Sequence, residues 1–198
     1  TCRVEDGVLR LRYDVGDFTV AALRLARDAS AADVNRLAVD ASADMLLFLW
    51  GDTAEPDADG LREMMMYAQR PDVCAVMPLV ADARNRVLHA GYDILPDGTV
   101  RSRNRGGWHG MNRTSYNVTA VSPMCFLVRR DAFVPLAEGN SLAVDLAQWC
   151  MARMQEGMRH VYTPHCVVKA DAESAFEGFR MKVPAGWYDP CATGSKHA

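Results

Sequence analysis

Two stretches of this 198-residue chain carry side chains whose type and setting can do chemistry. The first is "DMLLFLWGDTAEPD", Asp44 to Asp57, where an unbroken apolar run meets a small acidic turn. Such a run suits a strand buried on both faces of a parallel sheet, and the carboxyl end of that strand is where open α/β sheets bind ligands. Asp52 therefore stands at a ligand-binding position, either as a functional carboxylate or as a turn acid that caps the helix after it. The second is "VRSRNRGGWHGMNR", in which Arg101, Arg103, Arg105 and Arg113 surround Trp108 and His109. Its glycines and charges predict a mobile loop rather than a packed element. That loop is either a solvated charged surface or a contact for an anion or a substrate.

These residues need elements to hold them. "GDFTVAALRLARD" predicts a strand from Phe18 to about Leu25. "SAADVNRLAVDASAD" predicts a helix with Ser30 as N-cap and Val34, Leu37, Ala38 and Ala41 on its buried face. After the "LLFLW" strand, a second helix begins near Asp57 to Asp59 and stops before Pro71, and "VCAVMPLVAD" reads as the next strand. "RVLHAGYDILPDGTV" predicts a bent strand or hairpin with a Pro-Asp-Gly turn. "VTAVSPMCFLVRRDAF" reads as one long apolar strand, residues 141 to 156 as a helix stopped by Gly157, and "HVYTPHCVVKAD" as a final strand with His165 near its end. One α/β domain over residues 1–175, with an irregular extension over 176–198, accounts for the length.

Composition excludes several classes. A net charge of −3 and a pI near 5.9 argue against nucleic acid as a partner, since a phosphate-binding surface shows as a basic excess. No run approaches the roughly 18 apolar residues of a membrane helix. The N-terminus has scattered charges and no apolar signal region. Six widely spread cysteines, without CxxC or metal-type spacing, read as reduced thiols, which places the chain in the cytoplasm. The chain starts without Met, as a fragment or a processed product does, so further domains in a longer natural protein are expected.

The order of "LLFLWGDTAEP", "RVLHAGYDI", "LVRRDAF", "VDLAQWCMAR" and "VYTPH" resembles family 2 glycosyltransferases of the GT-A fold, particularly rhamnosyltransferase-like members, from about residue 18 to 175. The resemblance implies a mainly parallel twisted sheet flanked by helices, a nucleotide-sugar donor and a glycan or lipid-linked acceptor. It implies inverting transfer of a sugar to an acceptor hydroxyl. It also implies Mg²⁺ or Mn²⁺ on the donor diphosphate, held by Asp52 and assisted by Asp171, because a carboxylate-bound divalent cation neutralises the leaving group. Asp145 is the surviving candidate base, and the loop with Arg101, Arg103, Arg105, Trp108 and His109 is expected on the same face as Asp52, contacting donor phosphate or acceptor.

Departures from the family pattern point the other way. Trp50 and Gly51 stand where the family has Asn-Asp or Asp-x before the final acid, so only one acid of the pair remains, and Leu142 and Ala143 stand where its helix opens with acids. Asp145 lies farther along that helix, and two residues rotate a side chain by roughly 200°. Nothing before Phe18 matches the strands that hold the nucleobase, although "VLRLRYDVGD" supplies a candidate replacement strand. A catalytically degenerate GT-A-like domain that binds a glycan or a protein is the alternative expectation. Metal and nucleotide binding by this chain alone is then expected to be weak.

Overall fold

The computed structural model describes residues 2–5, 8–13, 16–171 and 178–191. In chain order these form β1 (Cys2–Glu5), β2 (Val8–Tyr13), β3 (Gly16–Leu25), α1 (Ala31–Asp40), β4 (Met45–Trp50), α2 (Ala58–Ala68), β5 (Val73–Ala81), β6 (Val87–His89), β7 (Tyr92–Ile94), β8 (Val100–Ser102), β9 (Tyr116–Val118), β10 (Cys125–Arg129), α3 (Leu142–Gln155) and β11 (Arg159–Lys169). The main sheet has the order β1-β2-β3-β4-β10-β5-β11-β9, with β6 added at the end of β5. Four long strands, β3, β4, β5 and β11, run in one direction, and β10 lies antiparallel between β4 and β5.

The helices cover both faces. His160 of β11 meets α3 through the carbonyl of Cys150, whereas Thr163 meets α2 through Glu63. Odd and even positions of a strand face opposite sides, so α2 and α3 lie on opposite faces of the sheet. This burial on two sides is why every residue of β4 and β5 is apolar or proline and every one is buried. Local signals start the helices. Ser30 and Asp33 form a capping box on α1, and the Asp57 carboxylate accepts the Gly60 N–H at the start of α2. Gly157, at φ +85°, ends the turn after α3.

Three expectations are revised. The segment read as one long strand, residues 118–133, holds only the last residue of β9, Val118, at the sheet edge against β11, and then β10, which inserts between β4 and β5. Residues 119–124 separate the two strands, and within them the Met124 N–H turns back to the Ser122 hydroxyl and Pro123 has no N–H to give a ladder. His165 is not at a strand end. It is exposed within β11, where the register slips between Thr163 and Val167 opposite Pro78, a residue that cannot donate across the sheet. The N-terminal residues supply not one strand but the β1–β2 pair, running antiparallel onto β3. The expected boundary at 175/176 lies outside the described residues. Residues 178–191 follow an irregular path and pack back on the sheet, with the Asp189 carboxylate accepting from Ile94 N, Thr119 Oγ1 and Cys191 N.

Candidate functional site

The carboxyl ends of β3, β4, β5 and β11 meet at one end of the sheet. After Trp50 the chain turns through Gly51, at φ +55°, and crosses this end until the Ala54 N–H bonds the Lys169 carbonyl at 2.7 Å. The crossing is held by a strand that sequence reasoning left out of the site. Arg24 of β3 donates from Nη1 to the carbonyls of Gly51 (2.9 Å) and Thr53 (3.0 Å), and from Nη2 to Glu55 Oε1 (3.3 Å). Just beyond β3, Arg27 donates through Nη2 to Asp52 Oδ2, and both side chains remain largely exposed. The signal for both arginines was present in "LRLAR", since a cation at the carboxyl end of the neighbouring parallel strand must meet the same turn.

Asp52 therefore lies where it was expected, at the carboxyl end of a central strand, but as the partner of a guanidinium. Asp171 is exposed just past β11, after Ala170 bonds the Ala81 carbonyl. Lys169 reaches the Asp82 carbonyl and the Asn85 side chain, so a third cation marks this end. Among the described residues, no group of three or more His, Cys, Asp and Glu side chains is gathered for a metal ion. Arg24 also walls a cleft of about 310 Å³ with Asp28, Asp33 and Arg36. A larger cleft of about 600 Å³, lined by Thr19, Asp44, Met45 and Arg130, opens at the other end of β4. Six residues of strand separate it from Asp52 by roughly 20 Å, so its size does not make it part of this site.

The arginine-rich loop divides into buried and exposed parts. Its backbone is tied beside β6: Val87 N–H bonds the Gly107 carbonyl, Gly106 N–H bonds the Val87 carbonyl, and His109 N–H bonds the Asn85 carbonyl. This places it at the carboxyl end of β5. The expectation of an unpacked loop is corrected at Arg103, which is only 4% exposed. Arg103 donates to Asp93 Oδ1 at 2.5 Å and to the carbonyls of Asn117 and Cys191, with its guanidinium 5.0 Å from the Tyr116 ring. Burial pushes the Asp93 carboxyl up, and Arg103 draws it back only in part. Arg103 thus joins the loop to β7, β9 and the C-terminal stretch, and it is removed from the set of substrate-contacting residues.

Arg101 is exposed, with Asp93 3.8 Å away. Trp108 is 58% exposed and meets the His109 ring edge-on at 5.6 Å. Its indole lies over Gly110, where an added Cβ would come 2.6 Å from the ring. Arg105 is half-buried near His89, a residue that sequence reasoning did not place in the site. The His89 ring shares a 2.7 Å hydrogen bond with Ser102 Oγ, and burial, helped by the Arg105 charge, lowers its pKa to about 3. His89 is therefore a neutral strut under the loop.

Asp145 is likewise corrected as an accessible base. It is 2% exposed, and its carboxylate accepts the Asn140 Nδ2 (2.9 Å) and N–H (3.3 Å) in the first turn of α3. Ser141 makes no side-chain cap there, so Asp145 satisfies donors at the helix start and benefits from the helix dipole.

No protein-family model matches the chain. An uncharacterized protein, y4gI of Sinorhizobium fredii, is 28% identical over 159 residues, covering 75% of this chain and 18% of that protein. The O-antigen biosynthesis protein RfbC of Myxococcus xanthus is 30% identical over 114 residues, covering 52% of this chain and 8% of its own length. The chain thus spans less than a fifth of either relative. Among solved structures, GalNAc-T7 with UDP, GalNAc and Mn²⁺ superposes with a TM-score of 0.50 at 12% identity, covering 77% of this chain and 32% of that one. The fold is of the GT-A glycosyltransferase type. No helix among the described residues is long and apolar enough to cross a membrane.

Proposed function

We propose that this chain is a glycosyltransferase domain of the family 2 kind, which takes a sugar from a nucleotide-sugar donor and passes it to an acceptor hydroxyl with inversion. The observation that carries the proposal is the charged turn at the carboxyl end of β4, where Asp52, Arg24 and Arg27 converge on a GT-A-type sheet. The diphosphate of the donor lies against this turn, and the nucleoside enters the cleft walled by Arg24 and Arg36. The exposed part of the neighbouring loop, Arg101, Trp108 and His109, faces the acceptor. Similarity to a protein of O-antigen biosynthesis supports a saccharide or lipid-linked saccharide as that acceptor.

A glycan- or protein-binding module without transfer is the second reading, favoured by the burial of Asp145 beneath Asn140. One experiment separates the two. The 198-residue chain is incubated with UDP-, dTDP- and GDP-sugars, and binding is followed by saturation-transfer difference NMR and nucleoside diphosphate release by ³¹P NMR. The transferase reading expects one donor class to bind and to release its diphosphate when a saccharide acceptor is supplied. Binding without release supports the module. The absence of binding by all three classes refutes the transferase reading.

A further inference from the structure

We propose that Arg27, backed by Arg24, stands in the place of the divalent cation in this site, so that a guanidinium rather than a metal ion receives the donor diphosphate. The inference rests on the donor site proposed above and specifies how that site meets phosphate.

Three observations converge on it. First, the turn that would hold a metal already meets two cations. The Asp52 carboxylate is ion-paired with Arg27, and the turn carbonyls of Gly51 and Thr53 accept from Arg24. A divalent cation approaching Asp52 would meet the Arg27 charge at the same carboxylate, and the two would repel. The described residues gather no set of three carboxylate, imidazole or thiolate side chains to overcome that repulsion.

Second, Trp50 and Gly51, the two residues that depart from the pattern of the resembled family before Asp52, are the ones that seat Arg27. Gly51 leaves room for the arginine stem, because a Cβ at that position would come 3.2 Å from Arg27 Cγ. Trp50 places its ring 6.0 Å from the guanidinium carbon. A cation over an indole face is held by the ring quadrupole. An aspartate at position 51 would both crowd the stem and adopt a positive φ. Losing one acid of the pair and gaining a bound arginine is thus one change, not two.

Third, the chemistry matches the ligand. A guanidinium is planar and always charged, and its fork of N–H donors fits two phosphate oxygens at once. The Arg27 side chain is 58% exposed at the end of the sheet, and Asp52 orients it without burying it. Arg24 fixes the turn beneath, so the cation is preorganised rather than recruited.

The test is a titration of the 198-residue chain with inorganic pyrophosphate and with UDP, in excess EDTA and then in millimolar Mn²⁺, with free Mn²⁺ followed by electron paramagnetic resonance. Wild-type affinity for both ligands is expected to agree within about 2-fold between the two conditions, and the chain alone is expected to leave the free Mn²⁺ signal unchanged. Arg27→Gln is expected to weaken both ligands by about 10- to 100-fold, the range of charge-assisted hydrogen bonds, in either condition. Arg27→Lys, which keeps the charge and loses the fork, is expected to fall between. An unchanged thermal melting curve for both variants shows that the fold is intact. Binding that requires Mn²⁺, or an Arg27→Gln variant that binds as tightly as the wild type, overturns the inference while leaving the donor site standing. Failure of both ligands to bind in either condition overturns the inference and the donor site together.

Discussion

Replacing Arg103 with alanine separates a structural role from a substrate-binding one. Both side chains of the Arg103–Asp93 pair are 3% exposed, and the guanidinium also serves the carbonyls of Asn117 and Cys191. Removing one member of a buried pair leaves the other charged and unpaired, which costs about 3–5 kcal/mol. For a domain of this size, 1 kcal/mol corresponds to roughly 2–4 °C, so Arg103→Ala is expected to lower Tm by about 6–20 °C. The loss depends on pH with a definite sign. Burial already pushes the Asp93 carboxyl up, and deleting Arg103 removes an opposing pull, so the variant's folded state takes up a proton more readily than its unfolded chain. The destabilisation is therefore smaller at pH 5 than at pH 8. Urea unfolding by circular dichroism at both pH values measures it. Arg101→Ala, at the exposed end of the same carboxylate, is the control and is expected to lose less than about 0.5 kcal/mol. The pair Asp93→Leu with Arg103→Met is expected to recover at least half of the loss, since it removes both charges. A loss below about 1 kcal/mol, together with a 10-fold loss of donor or acceptor binding, would refute the assignment and return Arg103 to the ligand site.

Asp145→Asn is expected to keep any transfer activity within about 10-fold of the wild type, whereas loss of a general base costs about 100- to 10,000-fold; single-turnover assays with a competent donor decide this. Gly98→Ala is expected to destabilise by more than about 1 kcal/mol in thermal unfolding, because Gly98 has φ +80° and an added Cβ runs into the Met181 carbonyl oxygen. Acid lability should follow His89 and His160, whose buried rings have pKa values lowered from 6.5 to about 3 and about 4, in each case chiefly by burial. Below about pH 6.5 the unfolded chain binds protons at these rings and the folded chain does not. Stability then falls with pH at about 1.4 kcal/mol per unit for each ring until the folded values are reached, and His89→Gln removes one share of that slope in urea titrations.

The parts of the fold legible in the sequence are those where one local signal has one solution. An unbroken apolar run such as "LLFLW" becomes an interior strand, and Ser30 or Asp57 before an apolar period becomes a helix start. Pairing is set by contacts far along the chain, and there the reading failed. Residues 118–129 are apolar throughout except at Thr119, Ser122 and Arg129, so hydrophobicity alone does not divide them between an edge and an interior position. Pro123 marked the division, yet a proline also sits within β5 at Pro78, where β11 bulges to accommodate it. The same residue type thus ends one pairing and is absorbed by another, and only the partner strand distinguishes the two outcomes.

The place of Asp52 in the fold was legible by the same logic. Asp52 followed from its place at the end of a buried strand, because a carboxylate there is fixed by the strand itself. Arg103 and Asp145 were misread because their surroundings come from elsewhere: the burial of Arg103 depends on Asp93, Asn117 and Cys191, and Asp145 turns on Asn140. Arg24 and Arg27 went unnoticed because their target is a turn about 25 residues away, brought to them only by parallel pairing of β3 with β4. That pairing also explains why Trp50 and Gly51 read as losses in the linear sequence. A residue pattern records that an acid is missing before Asp52, whereas the sheet shows that Arg24 and Arg27 meet the same turn, and the charge a turn presents is set by all the groups that reach it.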